Sequence, residues 1–284
     1  MQRSVTAGAG WQVESWEQPS GRTGSQDAKL VWLDPTAGRL RVAAMDGVTP
    51  SLRCRTVAGV DGAMYAAAVV RLALQRTEAA LDECVLAANR HLHDAALSRS
   101  RDQMQACVTA VELFPDGHVD VVRAGDCEAW ARTERGWVSL GSGSALTRDV
   151  AAEWADWQRR NATVSRDVRH DAEERFLGRR LAWTSTAVGR FASPVLQHFS
   201  ADRVLELVLA SDGARLSELV LDDLPSWLGG LRRWESQRRH LGRAAEKVHD
   251  DVTVLRLRPS PVAAVGSTPR EALPGGVDLG RRAA

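Results

Sequence analysis

Segment 11–16 alternates apolar and polar residues with the two-residue period of a β-strand. Segments 29–33 and 40–45, on either side of a turn at Asp34-Pro35, indicate two further strands. Two longer segments, 59–76 and 77–97, place Ala, Val and Leu at helical spacing instead. The first half therefore predicts three strands followed by two helices.

The second half continues this succession of strand and helix patterns. Strand patterns separated by turn residues predict an antiparallel meander. Its strands are 106–114, 119–124, 127–132 and 137–140. Beyond it, helical patterns cover 149–177 and 224–248, and strand patterns cover 204–210 and 252–257. This arrangement predicts an α+β fold, a four-layer α/β/β/α sandwich in which two antiparallel sheets are flanked by helices.

The composition of the chain changes near its C-terminal end. From Pro259 onwards the sequence contains Ser-Pro, Gly-Gly and Arg-Arg pairs without an apolar period. Such a segment buries too little apolar surface to offset the entropy of ordering it. We therefore predict one folded domain over 1–258 and a disordered tail over 259–284.

Charge and cysteine content exclude several classes of protein. The chain of 284 residues has 37 Lys and Arg against 36 Asp and Glu, a net charge of +1, so no nucleic-acid partner is expected. The four cysteines form no C-x-x-C pair, which suits reduced thiols. The N-terminus lacks the apolar core of a secretory signal, and no apolar stretch is long enough to span a membrane. We expect a cytoplasmic protein without a membrane partner.

Five aspartates each end an apolar run or lie beside a glycine. They are Asp27, Asp46, Asp126, Asp212 and Asp250. An aspartate at the end of a buried strand places a short carboxylate at the rim of a sheet, on rigid backbone. Several carboxylates at one point repel one another unless a divalent cation neutralises them. Because the donors are oxygens, Mg²⁺ or Mn²⁺ is the expected ion, and the pattern indicates a hydrolytic metal site.

The order of these motifs resembles that of the metal-dependent protein serine/threonine phosphatases of the type-2C family. Members of that family carry an Arg five residues before an Asp, then Asp-Gly, Gly-Asp-Ser, Ser-Asp-Gly and Asp-Asn-x-Thr. This chain offers Arg22 with Asp27, Asp46-Gly47, Gly125-Asp126-Cys127, Ser211-Asp212-Gly213 and Asp250-Asp251-Val252-Thr253. Each motif alone is common in turns. The resemblance lies in their shared order, over roughly 11–258.

The resemblance implies a centre with two divalent ions. Asp46 would bridge both ions, and the carbonyl of Gly47 would join the ligand shell. Asp212 and Asp250 would bind the second ion, and Asp27 would act through a water molecule. By the same resemblance, the two ions would lower the pKa of a shared water, which attacks phosphorus in line.

Two further residues complete the implied site. Arg22 would grip two oxygens of the phosphate, and no covalent phospho-enzyme would form. Asp126 would contribute to a third, weaker metal site. The expected substrate is a phosphoserine or phosphothreonine of a partner protein, and the expected cofactor is Mn²⁺ or Mg²⁺.

The sequence departs from the family at several positions. Val48-Thr49-Pro50 follows Asp46-Gly47 where the family has a glycine-containing loop, and Cys127 stands in place of Ser. Leu216 occupies a position where many members carry a carboxylate for the third metal. The segment 149–192, where the family has its flap, does not align clearly.

These departures leave alternatives open. One is a catalytically inactive relative that binds a phosphoprotein or acts as a regulatory module. Another is a metal-dependent hydrolase of a small phosphoester. Each Asp-Gly pair could also be an ordinary turn, and Arg22 an ordinary surface arginine. The bridging Asp46 and both terminal ligands, Asp212 and Asp250, are all present, which favours the enzyme.

Overall fold

The computed structural model describes most of the strands and helices of the chain. The described residues are 2–8, 10–20, 25–34, 36–48, 56–57, 60–76, 78–99, 104–140, 156–157, 159–160, 163, 165, 168, 187–189, 197–200, 204–239 and 250–260. Arg22, most of the predicted helical segment 149–177 and nearly all of the predicted tail lie outside them.

The described residues form strands and helices in the following order. The strands of the first half are β1 (Gln2–Gly8), β2 (Trp11–Gln18), β3 (Asp27–Asp34), β4 (Arg39–Val48), β5 (Thr56–Val57) and β6 (Val60–Asp61). Helices α1 (Gly62–Leu74) and α2 (Leu81–Arg99) follow, and then β7 (Gln105–Leu113), β8 (Val119–Ala124), β9 (Glu128–Thr133) and β10 (Gly136–Ser139). The last elements are β11 (Gln197–Ser200), β12 (Glu206–Ala210), the 3₁₀ turn Asp212–Ala214, α3 (Glu218–Leu221), α4 (Leu224–Arg239) and β13 (Val252–Pro259).

Two antiparallel sheets form the centre of the molecule. The six-stranded sheet has the order β1-β2-β13-β12-β9-β10, and the five-stranded sheet has the order β11-β8-β7-β4-β3. A separate ladder joins β5 to β6. Alternate residues of each strand point to opposite faces, so one face of each sheet can pack against the other sheet.

The space between the sheets is filled by aliphatic side chains. From the five-stranded sheet, Val42 and Ala44 of β4 and Val111 of β7 face this space. From the six-stranded sheet, Leu209 of β12 and Leu255 of β13 meet them. All five side chains are almost completely buried, which makes this core the rigid support for everything at the sheet ends.

Helices cover the outer face of each sheet. Met45 and Val108, which point away from the inter-sheet core, pack with α1 and α2 in a second cluster. Val208 and Val254 of the other sheet pack with Leu228 and other residues of α3 and α4 in a third. The predicted four-layer α/β/β/α sandwich is confirmed. No helix among the described residues has the length and apolar character needed to cross a membrane.

The predicted meander is wrong in one respect. β7 pairs with β8 in the five-stranded sheet, but β9 pairs with β10 and β12 in the six-stranded sheet. The chain crosses between the sheets at Gly125, whose φ is +86°, a left-handed conformation that costs glycine little. Arg123 fixes this crossing, because its Nε donates to the carbonyl oxygen of Cys127 at 2.8 Å. The strand patterns were correct, and their sheet assignment was not.

Candidate functional site

Two of the predicted aspartates lie opposite each other on neighbouring strands. Asp27 begins β3 and pairs in register with Asp46 near the end of β4. Asp46 lies two residues beyond Ala44, which faces the inter-sheet core, so its side chain points to the same space. The two carboxylates therefore stand at one end of the gap between the sheets.

The other sheet brings two more aspartates to this end. β12 ends at Ala210, and Asp212 begins the 3₁₀ turn that follows. Asp250 lies just before β13, the neighbour of β12. A Cβ atom on Gly213 would stand 2.1 Å from the carbonyl oxygen of Asp251 and 3.1 Å from Cβ of Asp250. Only glycine permits this approach, which holds the segments of Asp212 and Asp250 against each other.

The crossing between the sheets supplies a fifth carboxylate. Asp126 is exposed in the short loop between β8 and β9. Its charge, together with those of Asp212 and Asp27, acts on Asp46 and helps to raise the pKa of that carboxyl. The structure therefore brings Asp27, Asp46, Asp126 and Asp212 into electrostatic contact, with Asp250 beside Gly213.

Burial and mutual repulsion dominate the electrostatics of the cluster. Burial is the largest cause that raises the pKa of Asp46 well above its usual value, followed by the charges of Asp212, Asp27 and Asp126. Burial also raises the pKa of Asp27 to about 6, although a hydrogen bond from Ser211 lowers it. Each of the five largest influences on Asp46 raises its pKa. Among the described residues, the strongest influences on Asp46 are thus burial and like charges, and both disfavour its ionised form.

The donor set suits a hard divalent cation. The donors that the structure groups here are carboxylate oxygens, and Gly47, whose carbonyl the resemblance would add, is buried beside Asp46. Oδ1 of Asp27 is buried and has no hydrogen-bond partner among the described residues. Among the described residues, no group of three or more His, Cys, Asp or Glu side chains is already arranged to hold a metal ion. Mg²⁺ commonly keeps several waters and takes only one or two carboxylates, so an open carboxylate cluster is compatible with it.

Two residues that the sequence interpretation did not single out link the sheets at this point. Oγ of Ser211 donates to Oδ2 of Asp27 at 2.7 Å and accepts from the backbone N–H of Thr253 at 3.0 Å. The Asp251 carboxylate accepts from the backbone N–H of Ser20 and of Gln26. The sequence could have indicated Ser211, because this residue belongs to the Ser-Asp-Gly motif. For Asp251, the only indication in the sequence was its position beside Asp250.

Solved structures of known proteins share this architecture. No family model and no curated protein matches the chain. A crystal structure of RsbX in complex with magnesium matches with a TM-score of 0.57 and 9% identity, over 91% of this chain and 100% of that one. The serine/threonine phosphatase Stp1 from Staphylococcus aureus matches with a TM-score of 0.55 and 15% identity, over 91% and 97%. The Mycobacterium tuberculosis phosphatase PstP/Ppp matches with a TM-score of 0.53 and 15% identity, over 90% and 99%.

The chain has the type-2C phosphatase fold. The expected resemblance in architecture is thereby confirmed over nearly the whole chain. At 9–15% identity these similarities concern the fold, and the roles of individual residues rest on the geometry of the site.

Leu216 differs from the type-2C pattern in a way that the structure explains. Its side chain is 9% exposed and packs in the outer cluster with Leu228 and its neighbours under α4. An apolar residue in this packed position supplies no ligand to a metal near Asp126. Any third metal site in this version of the type-2C fold has one carboxylate fewer.

The cysteine that replaces serine in the Gly125-Asp126-Cys127 motif is part of a small buried cluster. Cys127 packs with Cys107 and Ala187 directly beside the carboxylates. Burial, followed by the charge of Asp46, raises the pKa of the Cys127 thiol well above its usual value. Burial and Asp126 do the same for Cys107. Both thiols therefore stay protonated and add no negative charge to the cluster.

Proposed function

We propose that this chain is a metal-dependent phosphatase that hydrolyses phosphoserine or phosphothreonine on protein substrates. The observation that carries the proposal is the group of carboxylates around Asp46, drawn from both sheets and mutually repulsive. A protein that maintains such a group at the mouth of a rigid sandwich loses stability unless a cation is bound. The type-2C fold of the chain supports the same chemistry by analogy.

Each carboxylate has a proposed role. Asp46 and the carbonyl of Gly47 would help to hold two divalent ions, Mn²⁺ or Mg²⁺. Asp212 and Asp250 would be ligands of the second ion. When bound, the ion pair lowers the pKa of a water molecule and offsets the negative charge of the phosphoryl group.

The remaining residues act on orientation. Asp27 stands directly opposite Asp46 and accepts from Ser211, so it is placed to orient a water in the metal shell. Asp126 is exposed at the edge of the cluster and contributes to a weaker third site. Arg22, which lies outside the described residues, binds the phosphate as a planar fork. Its segment starts and ends at residues held by the site, as Ser20 and Gln26 both donate to Asp251.

A catalytically inactive, phosphoprotein-binding module is the second candidate. Leu216 favours it, because many type-2C members have a carboxylate at this position, whereas here it is a buried apolar side chain. The two candidates differ in turnover. An inactive module binds a phosphothreonine peptide and leaves it intact, whereas the enzyme releases phosphate.

Hydrolysis assays on the full chain test the proposal. We expect phosphate release from p-nitrophenyl phosphate and from a phosphothreonine peptide with Mn²⁺ or Mg²⁺, and none in excess chelator. Restoring Mn²⁺ after chelation should restore the rate. Turnover in excess chelator would remove the metal mechanism. Peptide binding without turnover under all metal conditions would establish the inactive module instead.

A further inference from the structure

Asp251 occupies an unusual place between the two sheets. Its side chain is 3% exposed and lies just before β13 in the six-stranded sheet. Oδ1 accepts the backbone N–H of Ser20 at 2.6 Å, and Oδ2 accepts that of Gln26 at 2.8 Å. Ser20 follows β2 of the same sheet, and Gln26 precedes β3 of the other sheet. One carboxylate thus holds both flanks of the segment that passes between the sheets.

The contact at Gln26 continues to the bridging aspartate. The carbonyl oxygen of Gln26 accepts the backbone N–H of Gly47 at 3.1 Å. Hydrogen bonds thus connect Asp251 to Gln26, and Gln26 to Gly47. In the sequence, these three residues adjoin Asp250, Asp27 and Asp46 respectively. The hydrogen bonds therefore link the backbone beside three of the proposed ligand residues.

We propose that Asp251 is a positioning residue that fixes the distance between Asp250 on one sheet and the Asp27–Asp46 pair on the other. It needs no contact with metal or substrate to do so. The inference deepens the proposed function and rests on it, because it assigns Asp251 a part in building the same metal centre.

The chemistry of the side chain explains why a carboxylate is needed. A carboxylate accepts on both oxygens, so it can hold two N–H groups that approach from different sides. An asparagine, the residue of the type-2C pattern at this position, has a single accepting oxygen and an NH₂ group that would face a second donor. Asp251→Asn keeps the size of the side chain but leaves the N–H of Ser20 or of Gln26 without an acceptor.

Metal affinity and amide exchange together test the inference on the full chain. In Asp251→Asn we expect the Mn²⁺ dissociation constant, measured by calorimetric titration, to rise about tenfold, the usual effect of losing one hydrogen bond to a charged group. The amides of Gln26 and Gly47 should exchange with solvent at least about tenfold faster. A purely structural role would lower the melting temperature without changing Mn²⁺ affinity in the folded protein.

Asp34→Asn is the matched control. Asp34 also accepts two backbone N–H groups, those of Thr36 and Ala37 at 2.9 and 3.0 Å, but both on Oδ1 and in the turn at the opposite end of β3. The variant therefore removes a turn carboxylate while the amide oxygen can keep both contacts. We expect this variant to bind Mn²⁺ like the wild type. A similar loss of affinity in both variants would show a general effect of removing a turn carboxylate and would overturn the proposal.

The remaining outcomes separate the inference from the proposed function. Unchanged Mn²⁺ affinity in Asp251→Asn overturns the inference, whatever the wild-type activity. A wild type that binds no Mn²⁺ overturns the proposed function, and with it the inference that rests on it. If Asp251→Asn does not fold, amide hydrogen exchange in the wild type tests the contact between Asp251 and Gln26 instead. Rapid exchange of the Gln26 amide there would show that Asp251 does not hold it.

Discussion

Buried charges are ion-paired at one end of the sandwich and lie among like charges at the other. Strand β4 contains an example of each. Near its start, Arg41 is 1% exposed and its Nε donates to Oε1 of Glu112 at 3.0 Å. The same guanidinium also donates to the carbonyl oxygen of Arg76 at 2.6 Å. Near its end, Asp46 faces other carboxylates, each of which raises its pKa. Among the described residues, β4 therefore has an ion-paired charge at one end and a carboxylate that faces like charges at the other.

β13 repeats this contrast in the second sheet. Towards its end, Arg256 pairs with Glu206, and Arg258 pairs with Glu14 at 2.8 Å. Before its start lie Asp250 and Asp251, beside the carboxylate cluster. Ion pairs with hydrogen-bonded partners are a structural use of buried charge. A group of like charges close together costs stability and is typical of a functional site.

The largest expected effect is at the end of the sandwich that carries the carboxylate cluster, where one substitution should lower activity and raise metal-free stability. Asp46→Asn should lower phosphate release about a thousandfold or more, since it removes the bridging ligand and with it the activated water. In chelator, the same variant should melt at a higher temperature than the wild type, because an amide neither ionises among like charges nor has to take up a proton on folding. Activity assays and thermal melts with chelator check both signs.

The control for Asp46→Asn is a carboxylate variant far from the cluster. Asp34→Asn, at the other end of β3, should change neither activity nor the response of the melting temperature to Mn²⁺. If metal-free Asp46→Asn melts below the wild type, the carboxylates do not repel one another as described, and the contrast between the two ends fails.

At the ion-paired end, the expected effect has the opposite character. Glu112→Gln leaves Arg41 buried without its anionic partner, and Arg39 also loses its contact with Glu112 at 3.3 Å. Removing one partner of a buried ion pair costs about 3–5 kcal/mol of unfolding free energy. Urea unfolding should show this loss, and the Mn²⁺ affinity of the folded variant should equal that of the wild type. Glu134→Gln, at an exposed residue, is the matched control and should stay within about 0.5 kcal/mol.

The third prediction concerns pH and the carboxylate end alone. The pKa of Asp27 is raised from 3.8 to about 6, so the folded protein binds this proton more tightly than the unfolded chain does. Its contribution to stability is therefore complete below about pH 4 and is lost as the pH rises through about 6, a loss of roughly 2–3 kcal/mol. Urea unfolding in chelator, compared between wild type and Asp27→Asn, isolates this contribution.

Mn²⁺ should reverse that pH dependence. Metal ligands must be deprotonated, so Mn²⁺ binds more tightly as the pH rises, and the saturated protein should not lose stability over the same range. An Asp27→Asn variant whose metal-free stability follows the wild type from pH 4 to 7 would show that Asp27 is not the group responsible.

Much of this architecture could be predicted from the sequence because it depends on local periodicity. The alternation of Leu40, Val42 and Ala44 places these residues on one face of a strand, and the same face carries Asp46 to the site. Helical spacing likewise located α1 and α2. The order of the motifs then sufficed to group the aspartates, because three of them, Asp46, Asp126 and Asp212, adjoin a glycine and the other two occur in the expected sequence order.

Long-range pairing could not be predicted in the same way. The strand patterns on either side of Gly125 look like a hairpin, and only the backbone turn sends β9 to the other sheet. The role of Asp251 depends on two backbone N–H groups more than two hundred residues away in the chain. Backbone donors carry no side-chain signal, so the sequence alone offers no way to recognise such a contact.

The smallest expected effect concerns the C-terminal segment at the ion-paired end. β13 continues through Pro259, and the N–H of Ser260 donates to the carbonyl oxygen of Gly10 at 2.7 Å. Deleting residues 261–284 leaves these contacts and both charge clusters intact. We expect the melting temperature and the hydrolysis of a small phosphoester to stay nearly unchanged, because the deleted sequence has too little apolar content to stabilise the domain.

A longer deletion that starts at residue 256 is the matched comparison. It also removes Arg256 and Arg258, and with them the ion pairs to Glu206 and Glu14. This cut should destabilise the domain strongly, since it removes half of β13 from between β2 and β12 together with cationic partners of two buried carboxylates. Thermal melts of the two truncated chains, side by side, measure the difference. A fall of several degrees from the shorter deletion alone would show that the folded domain extends beyond residue 260.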